Sequence, residues 1–261
     1  MQFFENHHKE FVMTAKGLLF DVTRCALCGA CWLADKERNE LPIPDGDFTG
    51  DRLSDTTFLA IERHGARGVR HSCMHCVQPT CASVCPVAAL EKTSIGAVVY
   101  HQERCIGCRY CVVACPFCIP KYEWSKQLPY VRKCDFCYSR IVAGESPACA
   151  AACPTGALLY GERSALLHIA HERIAAGNGT YVDRVYGEYE VGGTSLLILT
   201  DIPLEELGYP TNLPGTPMPS LTWEALVNVP RVVLLGGAIL TGLWWLTKRR
   251  EEVHAARKEQ Q

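Results

Sequence analysis

The sequence predicts an α+β fold in which small strand–loop–helix units form two interleaved modules, followed by a single C-terminal helix. Three observations predict it. Sixteen cysteines fall into four groups. Two of these groups are preceded by short apolar stretches that read as strands running into a cysteine loop. After the proline-rich stretch 208–220 the composition turns apolar. A chain of 261 residues suffices for one large or two small domains, and a net charge of −2 gives no reason to expect a nucleic-acid partner.

The groups are Cys25, Cys28, Cys31; then Cys73, Cys76, Cys81, Cys85; then Cys105, Cys108, Cys111, Cys115, with Cys118 behind; and last Cys134, Cys137, Cys149, Cys153. Gly17-Leu-Leu-Phe-Asp-Val-Thr-Arg-Cys25 and Gly96-Ala-Val-Val-Tyr-His-Gln-Glu-Arg-Cys105 share one pattern, and Cys85-Pro-Val-Ala-Ala-Leu and Cys153-Pro-Thr-Gly-Ala-Leu both turn away at proline. The repeated unit is strand, cysteine loop, short helix, turn. Residues 36–70 have no cysteine and contain Pro42 and Pro44, which marks an insertion loop with one short ordered piece near 57–63. Leu166, Leu167, Ile169, Ala170 and Ile174 have helical spacing with Gly177 as a stop, and 195–200 reads as a buried strand.

The third group is a complete C-x2-C-x2-C-x3-C-P run, the bacterial ferredoxin pattern, and the second and fourth are longer-spaced variants of it. Three closely spaced thiolates on one loop reach three irons of a cube, while the fourth, beyond the turn, serves the neighbouring cluster. Structural zinc uses separated C-x2-C pairs without the x3-C-P ending. A disulfide framework suits a short secreted chain, which this is not. Cross-over pairing puts Cys105, Cys108 and Cys111 with Cys85, and Cys73, Cys76 and Cys81 with Cys115. Groups one and four then make a second pair: Cys25, Cys28 and Cys31 with Cys153, and Cys134, Cys137 and Cys149 with whatever stands at position 35, which is Asp35. The expected cofactors are four iron–sulfur clusters, mostly [4Fe-4S], the last being either Asp-ligated or [3Fe-4S]. The corresponding domains are an outer module (1–36 and 119–162), an insertion (37–69), an inner module (70–118), an extension and linker (163–222), an anchor (223–248) and a tail (249–261).

With these residues in place, the chain resembles the four-cluster iron–sulfur subunits of respiratory molybdenum enzymes and periplasmic hydrogenases over almost its whole length. Lys133-Cys-Asp-Phe-Cys137 with Pro147-Ala-Cys-Ala-Ala-Ala-Cys-Pro-Thr-Gly-Ala157 is similar to the formate dehydrogenase beta subunit. Cys73-Met-His-Cys76-Val and Cys105-Ile-Gly-Cys-Arg-Tyr-Cys111 are equally similar to the hydrogenase-2 type subunit. The glycine-bearing Val191-Gly192-Gly193-Thr194 before a lone helix is similar to both. The resemblance implies electron transfer between a large catalytic subunit (molybdopterin, tungstopterin or nickel–iron) and a membrane cytochrome b or quinone-reactive subunit. Asp35 departs from it, since those families usually have cysteine there. No triad, phosphate loop or dinucleotide fingerprint is present, so no substrate site of its own is expected. His75 is expected beside a cluster or at the surface, Cys118 as a free buried thiol, and Arg104, Arg109, Arg132 and Lys133 as cations that either tune the clusters or are solvated.

From Val232 to Thr247 the chain carries no charge, and Pro230 suits a helix start. Trp223 and Trp244-Trp245 flank the stretch, Gly237/Thr241 and Ala238/Gly242 have small-residue spacing, and Lys248-Arg249-Arg250 follows. These features predict a single pass through the inner membrane, with the C-terminus cytoplasmic and the cysteine modules periplasmic. Residues 1–20 show neither a secretory leader nor a twin-arginine pair, so the expectation is export of a folded chain with a signal-bearing partner. Two rival readings are a soluble polyferredoxin-like carrier with the last helix buried, and a scaffold whose clusters are structural.

Overall fold

In the computed structural model, which describes residues 15–259, the strand Lys16–Asp21 (β1) carries core on both faces. Leu18 and Phe20 face one way, toward Trp32, Ile61 and Ile198, while Leu19 faces the other, toward Leu166, Ala170 and Leu199. Side chains alternate along a strand, so burial on both sides requires the unbroken apolar run seen here.

The elements follow in order: helix Ala30–Arg38 (α1); strands Leu59–His64 (β2) and Arg67–Ser72 (β3); helix Thr80–Ser83 (α2); strands Leu90–Lys92 (β4) and Val98–Tyr100 (β5); helix Tyr110–Ala114 (α3); strands Lys121–Tyr122 (β6) and Val131–Arg132 (β7); helices Tyr138–Val142 (α4) and Ala148–Ala151 (α5); strand Leu158–Glu162 (β8); helix Arg163–Ala176 (α6); strand Leu196–Leu199 (β9); and helix Ser220–Glu259 (α7). β1 is central in a sheet of order β8-β1-β9, antiparallel to β8 with Leu18 opposite Tyr160 and parallel to β9 with Leu18 opposite Leu196. Among the described residues the other strands pair as local hairpins, β2 with β3, β4 with β5 and β6 with β7.

The helix expected at 163–177 is α6, closed where Gly177 donates its N–H to the carbonyls of Arg173 and Ile174. The ordered piece expected near 57–63 is β2. It pairs with β3, and Leu59, Ile61 and Val69 enter the main core, so this segment is more than a surface insertion.

The described residues up to Met218 form one compact unit and those from Pro219 a second. The second is α7. Here the expected helix start needs correcting: α7 begins at Ser220, and Pro230 lies inside it. A proline lacks the N–H that an interior helical position donates, but such a position is tolerated where the surroundings re-satisfy the freed carbonyl. Ser220–His254 has a mean hydropathy of 1.7 over its most apolar window and is, among the described residues, the one helix long and apolar enough to cross a membrane. Its leucines, valines and tryptophans are exposed.

Asp21, fully buried at the end of β1, ties the sheet to α6. It accepts hydrogen bonds from Thr23 N (3.1 Å), Thr23 Oγ1 (2.6 Å), Arg173 Nη1 (2.8 Å) and Tyr181 OH (3.1 Å). Asp21→Ala leaves the Arg173 guanidinium without its carboxylate partner and is expected to destabilise by about 3 kcal/mol. Urea unfolding followed by circular dichroism measures this, and an unchanged midpoint contradicts it.

Candidate metal centres

The cysteine loops repeat a backbone device four times. In the first C-x2-C of each cysteine group the residue before the second cysteine is left-handed: Leu27 (φ 53°), His75 (49°), Gly107 (71°) and Phe136 (65°). Each of the three non-glycine residues carries a penalty of about 1–2 kcal/mol there. Such strain persists where the surroundings over-determine the conformation, which is common at functional sites. The turns also aim backbone N–H groups at sulfur: Gly107 N at Cys105 Sγ (3.4 Å) and Phe136 N at Cys134 Sγ (3.4 Å). Further on, Ala89 N reaches Cys85 Sγ (3.2 Å) and Ala148 N reaches Cys137 Sγ (3.4 Å). Hydrogen bonds of this kind favour a thiolate.

A second device repeats three times. Cys85, Cys115 and Cys153 stand just past the ends of α2, α3 and α5, each followed by proline, and three residues on the backbone is again left-handed at Ala88 (50°), Cys118 (53°) and Gly156 (63°). Position 35 departs from this. Asp35 lies inside α1, Lys36 follows in place of proline, and the helix runs on to Arg38. Cys118 is exposed rather than buried, because it occupies the left-handed corner of its turn instead of the core side.

Long-range folding sorts the cysteines into sets. Cys25, Cys28, Cys31 and Cys153 line one partly open hollow. Cys85, Cys105, Cys108 and Cys111 line another. Cys76 is pushed far up by burial and then by Cys73, Cys115 and Cys81, so these four also stand together. Burial raises Cys134 as well, with Asp35 the first charge beside it, and raises Cys137 to about 11, with Cys149 among its neighbours. Among the described residues no three His, Cys, Asp or Glu side chains converge as tightly as a single ion needs; the two hollows are spread around a space of their own. Glycine makes room at one of them. A Cβ on Gly68 would stand 2.6 Å from Cys25 Sγ.

Crowded, buried thiols resist ionisation. Burial pushes Cys31 up to about 12, against the pull of Arg70, with Cys149, Cys25 and Cys153 adding to the rise; Cys81 likewise reaches about 12. Soft sulfur donors in such sets fit a polycationic iron–sulfur core, which supplies the charge that lets them ionise. Two orphaned polar atoms point the same way. Asp35 is buried, with Oδ1 accepting from Asn39 Nδ2 (3.3 Å) and Oδ2 without a partner. Its carboxyl is raised to about 6 by burial, with Arg70 the largest opposing influence.

The sequence reading missed Arg70. It is 1 % exposed on β3, donates from Nε to Ser72 Oγ (3.2 Å) and from Nη2 to Cys149 Sγ (3.6 Å), and its Nη1 has no partner. Burial works against its charge, but Cys149, Cys31 and Cys134 outweigh that. An arginine three residues ahead of Cys73, on the same strand face as Ser72, was the available signal.

The cations singled out beside the cysteines divide. Lys133 is buried and donates to the carbonyls of Val98 and Cys134. Arg132 pairs with Glu123 (2.7 Å), Arg109 lies over the Tyr122 and Trp124 rings, and Arg104 is exposed. His75 is inside rather than at the surface. Its Nδ1 accepts from Val98 N (2.9 Å), its ring lies 4.7 Å from Phe136, and burial keeps it neutral, with Lys133, Lys92 and Arg70 adding to that effect.

Comparison with known proteins gives these features a family. Residues 68–163 match the family described as a 4Fe-4S dicluster domain. The chain is 33 % identical over 280 residues to the hydrogenase-2 operon protein HybA of Escherichia coli O157:H7, covering 89 % of this chain and 84 % of that one. It is 35 % identical over 195 residues to the iron-sulfur subunit of nitrate-inducible formate dehydrogenase of Escherichia coli K12, covering 69 % of this chain and 66 % of that one. It is 38 % identical over 152 residues to the B subunit of the anaerobic dimethyl sulfoxide reductase of Haemophilus influenzae, covering 56 % and 73 %.

Proposed function

The chain belongs to the 4Fe-4S dicluster family of iron–sulfur electron-transfer subunits, and on that premise we propose that it relays electrons through four clusters, from a catalytic oxidoreductase subunit of formate dehydrogenase type to a cytochrome b or quinone site in the membrane. The observation that carries this is the sorting of distant cysteines into two hollows, Cys85 beside Cys105, Cys108 and Cys111, and Cys153 beside Cys25, Cys28 and Cys31. That is the cross-over expected of paired clusters.

On this reading Cys73, Cys76, Cys81 and Cys115 hold a third cluster, and Cys134, Cys137 and Cys149 hold the fourth with Asp35 as the oxygen ligand. The clusters supply one-electron exchange when bound. The chain ligates them, screens them from water and tunes them through N–H···S contacts such as those from Gly107 and Phe136. A second reading, with a nickel–iron hydrogenase as the catalytic partner, draws support from the longer stretch shared with the hydrogenase-2 operon protein.

Membrane anchoring by α7 is supported by its exposed apolar surface, which a water-soluble carrier would have to bury. Lys248-Arg249-Arg250 at its end orients the C-terminus to the cytoplasm and the cysteine modules to the periplasm.

Anaerobically purified protein is expected to hold about 15–16 iron with matching acid-labile sulfide, and to be reduced by its catalytic partner with substrate. A content near eight in folded protein contradicts four clusters, and full clusters that the partner never reduces favour a purely structural role. A chain ended at Pro219 is expected in the soluble fraction with its iron intact, while the full chain sediments with membranes. Sedimentation of the shortened chain by itself would remove α7 as the anchor.

A carboxylate is a harder donor than a thiolate, so the Asp35 site is expected to have its own potential and to lose an iron more readily on oxidation. Asp35→Cys is expected to move one of the four midpoint potentials and to abolish any three-iron signal in the oxidised EPR spectrum. If both Asp35→Cys and Asp35→Ala leave every signal in place, Asp35 is not a ligand.

A further inference from the structure

We propose that Arg70 is a permanent positive charge shared by the two outer clusters, and that it raises the reduction potential of both. The inference rests on the ligand sets given above for Cys25, Cys28, Cys31 and Cys153 and for Cys134, Cys137, Cys149 and Asp35. Arg70 Nη2 reaches Cys149 Sγ of the second set at 3.6 Å, and its charge acts on Cys31 of the first. Its foremost charge partners are Cys149, Cys31 and Cys134, one from the first set and two from the second, and it is a leading charge acting on Cys31 and on Asp35 in turn.

Its position is fixed from several directions. The Nε–Ser72 Oγ bond (3.2 Å) orients the guanidinium, and the buried Tyr209 donates its hydroxyl to the Arg70 carbonyl (2.7 Å). Nη2 already reaches Cys149 Sγ at 3.6 Å, and Nη1 is buried without an acceptor. A buried donor left unpaired costs about 1–3 kcal/mol, more when charged. Sulfur of the loaded clusters is the acceptor its surroundings offer.

Arginine does not deprotonate in proteins, so the charge does not respond to pH. Reduction adds an electron, and hence negative charge, to a cluster. A fixed cation close to its ligands stabilises the reduced form over the oxidised one, and net charge and hydrogen bonds to sulfur are the protein's means of setting cluster potentials. One residue serving both sets moves the two potentials together. Arg70 is thus a positioning and tuning residue rather than a ligand.

The test is an EPR-monitored redox titration of the full-length, cluster-loaded protein as wild type, Arg70→Lys and Arg70→Met. Arg70→Met is expected to lower two of the four midpoint potentials, with at least a tenfold loss in the reduction equilibrium of each, or about 59 mV for a one-electron couple. Arg70→Lys is expected to recover part of the shift, and the other two potentials stay in place. A second measurement leaves the fold untouched: with guanidino-15N arginine in the wild type, spin-echo modulation on the reduced clusters is expected to show an arginine nitrogen. Full iron content with no potential moved in Arg70→Met, or no arginine nitrogen in the labelled wild type, overturns the role of Arg70 and leaves the four-cluster reading standing. Iron near eight per molecule overturns the four-cluster reading itself.

Discussion

Negative charge crowded into a small buried volume is the constraint on which the rest of this structure depends. Four thiols cannot ionise side by side away from water unless positive charge is supplied among them. Cys76, Cys81 and Cys134 are all driven upward by burial before their neighbours add to the effect. Metal supplies most of the compensation in the proposed sets, and coupling of binding to folding follows from it. The protein supplies the remainder as buried cations. Arg70 faces three of the thiols, and Lys133 neighbours Cys81. Lys92, brought down to about 7 by burial and held up by Cys76 and Cys73, bonds the carbonyls of His75 (2.9 Å) and Gly96 (2.6 Å).

The backbone meets the same constraint through repetition. Four left-handed corners, one before the second cysteine of each group, and three after C-P turns shape the cysteine loops and accept local strain in doing so. The β8-β1-β9 sheet and α6 hold the first cysteine loop in place by way of Asp21. Asp35 marks the place where the repetition stops. Helix α1 continues through it because no proline follows, and this brings Arg38 to Asp135 as a paired salt bridge (2.8 Å) next to the same site.

The parts of the fold visible in the sequence are those fixed by local chemistry: the cysteine spacings, the proline turns after them, the apolar run of β1, the period of α6 and the buried β9. What escaped depends on distant partners. Arg67-Gly-Val-Arg-His-Ser reads as polar, and only pairing with β2 and cover by Tyr209 turn it into an interior strand, which is why Arg70 went unnoticed. His75 was hard to place because its burial comes from Val98 and Phe136, which lie 23 and 61 residues further along the chain. Pro230 misled on the start of α7, since a proline at a first turn and one within a long apolar helix look alike in composition. Of the candidate site, the cysteines, Asp35 and Lys133 were legible from spacing and position, while Arg70 and Lys92 were not.

The central claim is that cross-over between distant cysteine groups builds four separate clusters, one of them completed by Asp35. X-ray diffraction from anaerobic crystals of the loaded protein, recorded at the iron absorption edge, tests it most directly. Four anomalous peaks are predicted. Each should be enclosed by one of the sets headed by Cys25, Cys73, Cys105 and Cys134, with Asp35 oxygen beside the last. Two peaks, or peaks enclosed by cysteines of a single sequence group, would contradict it.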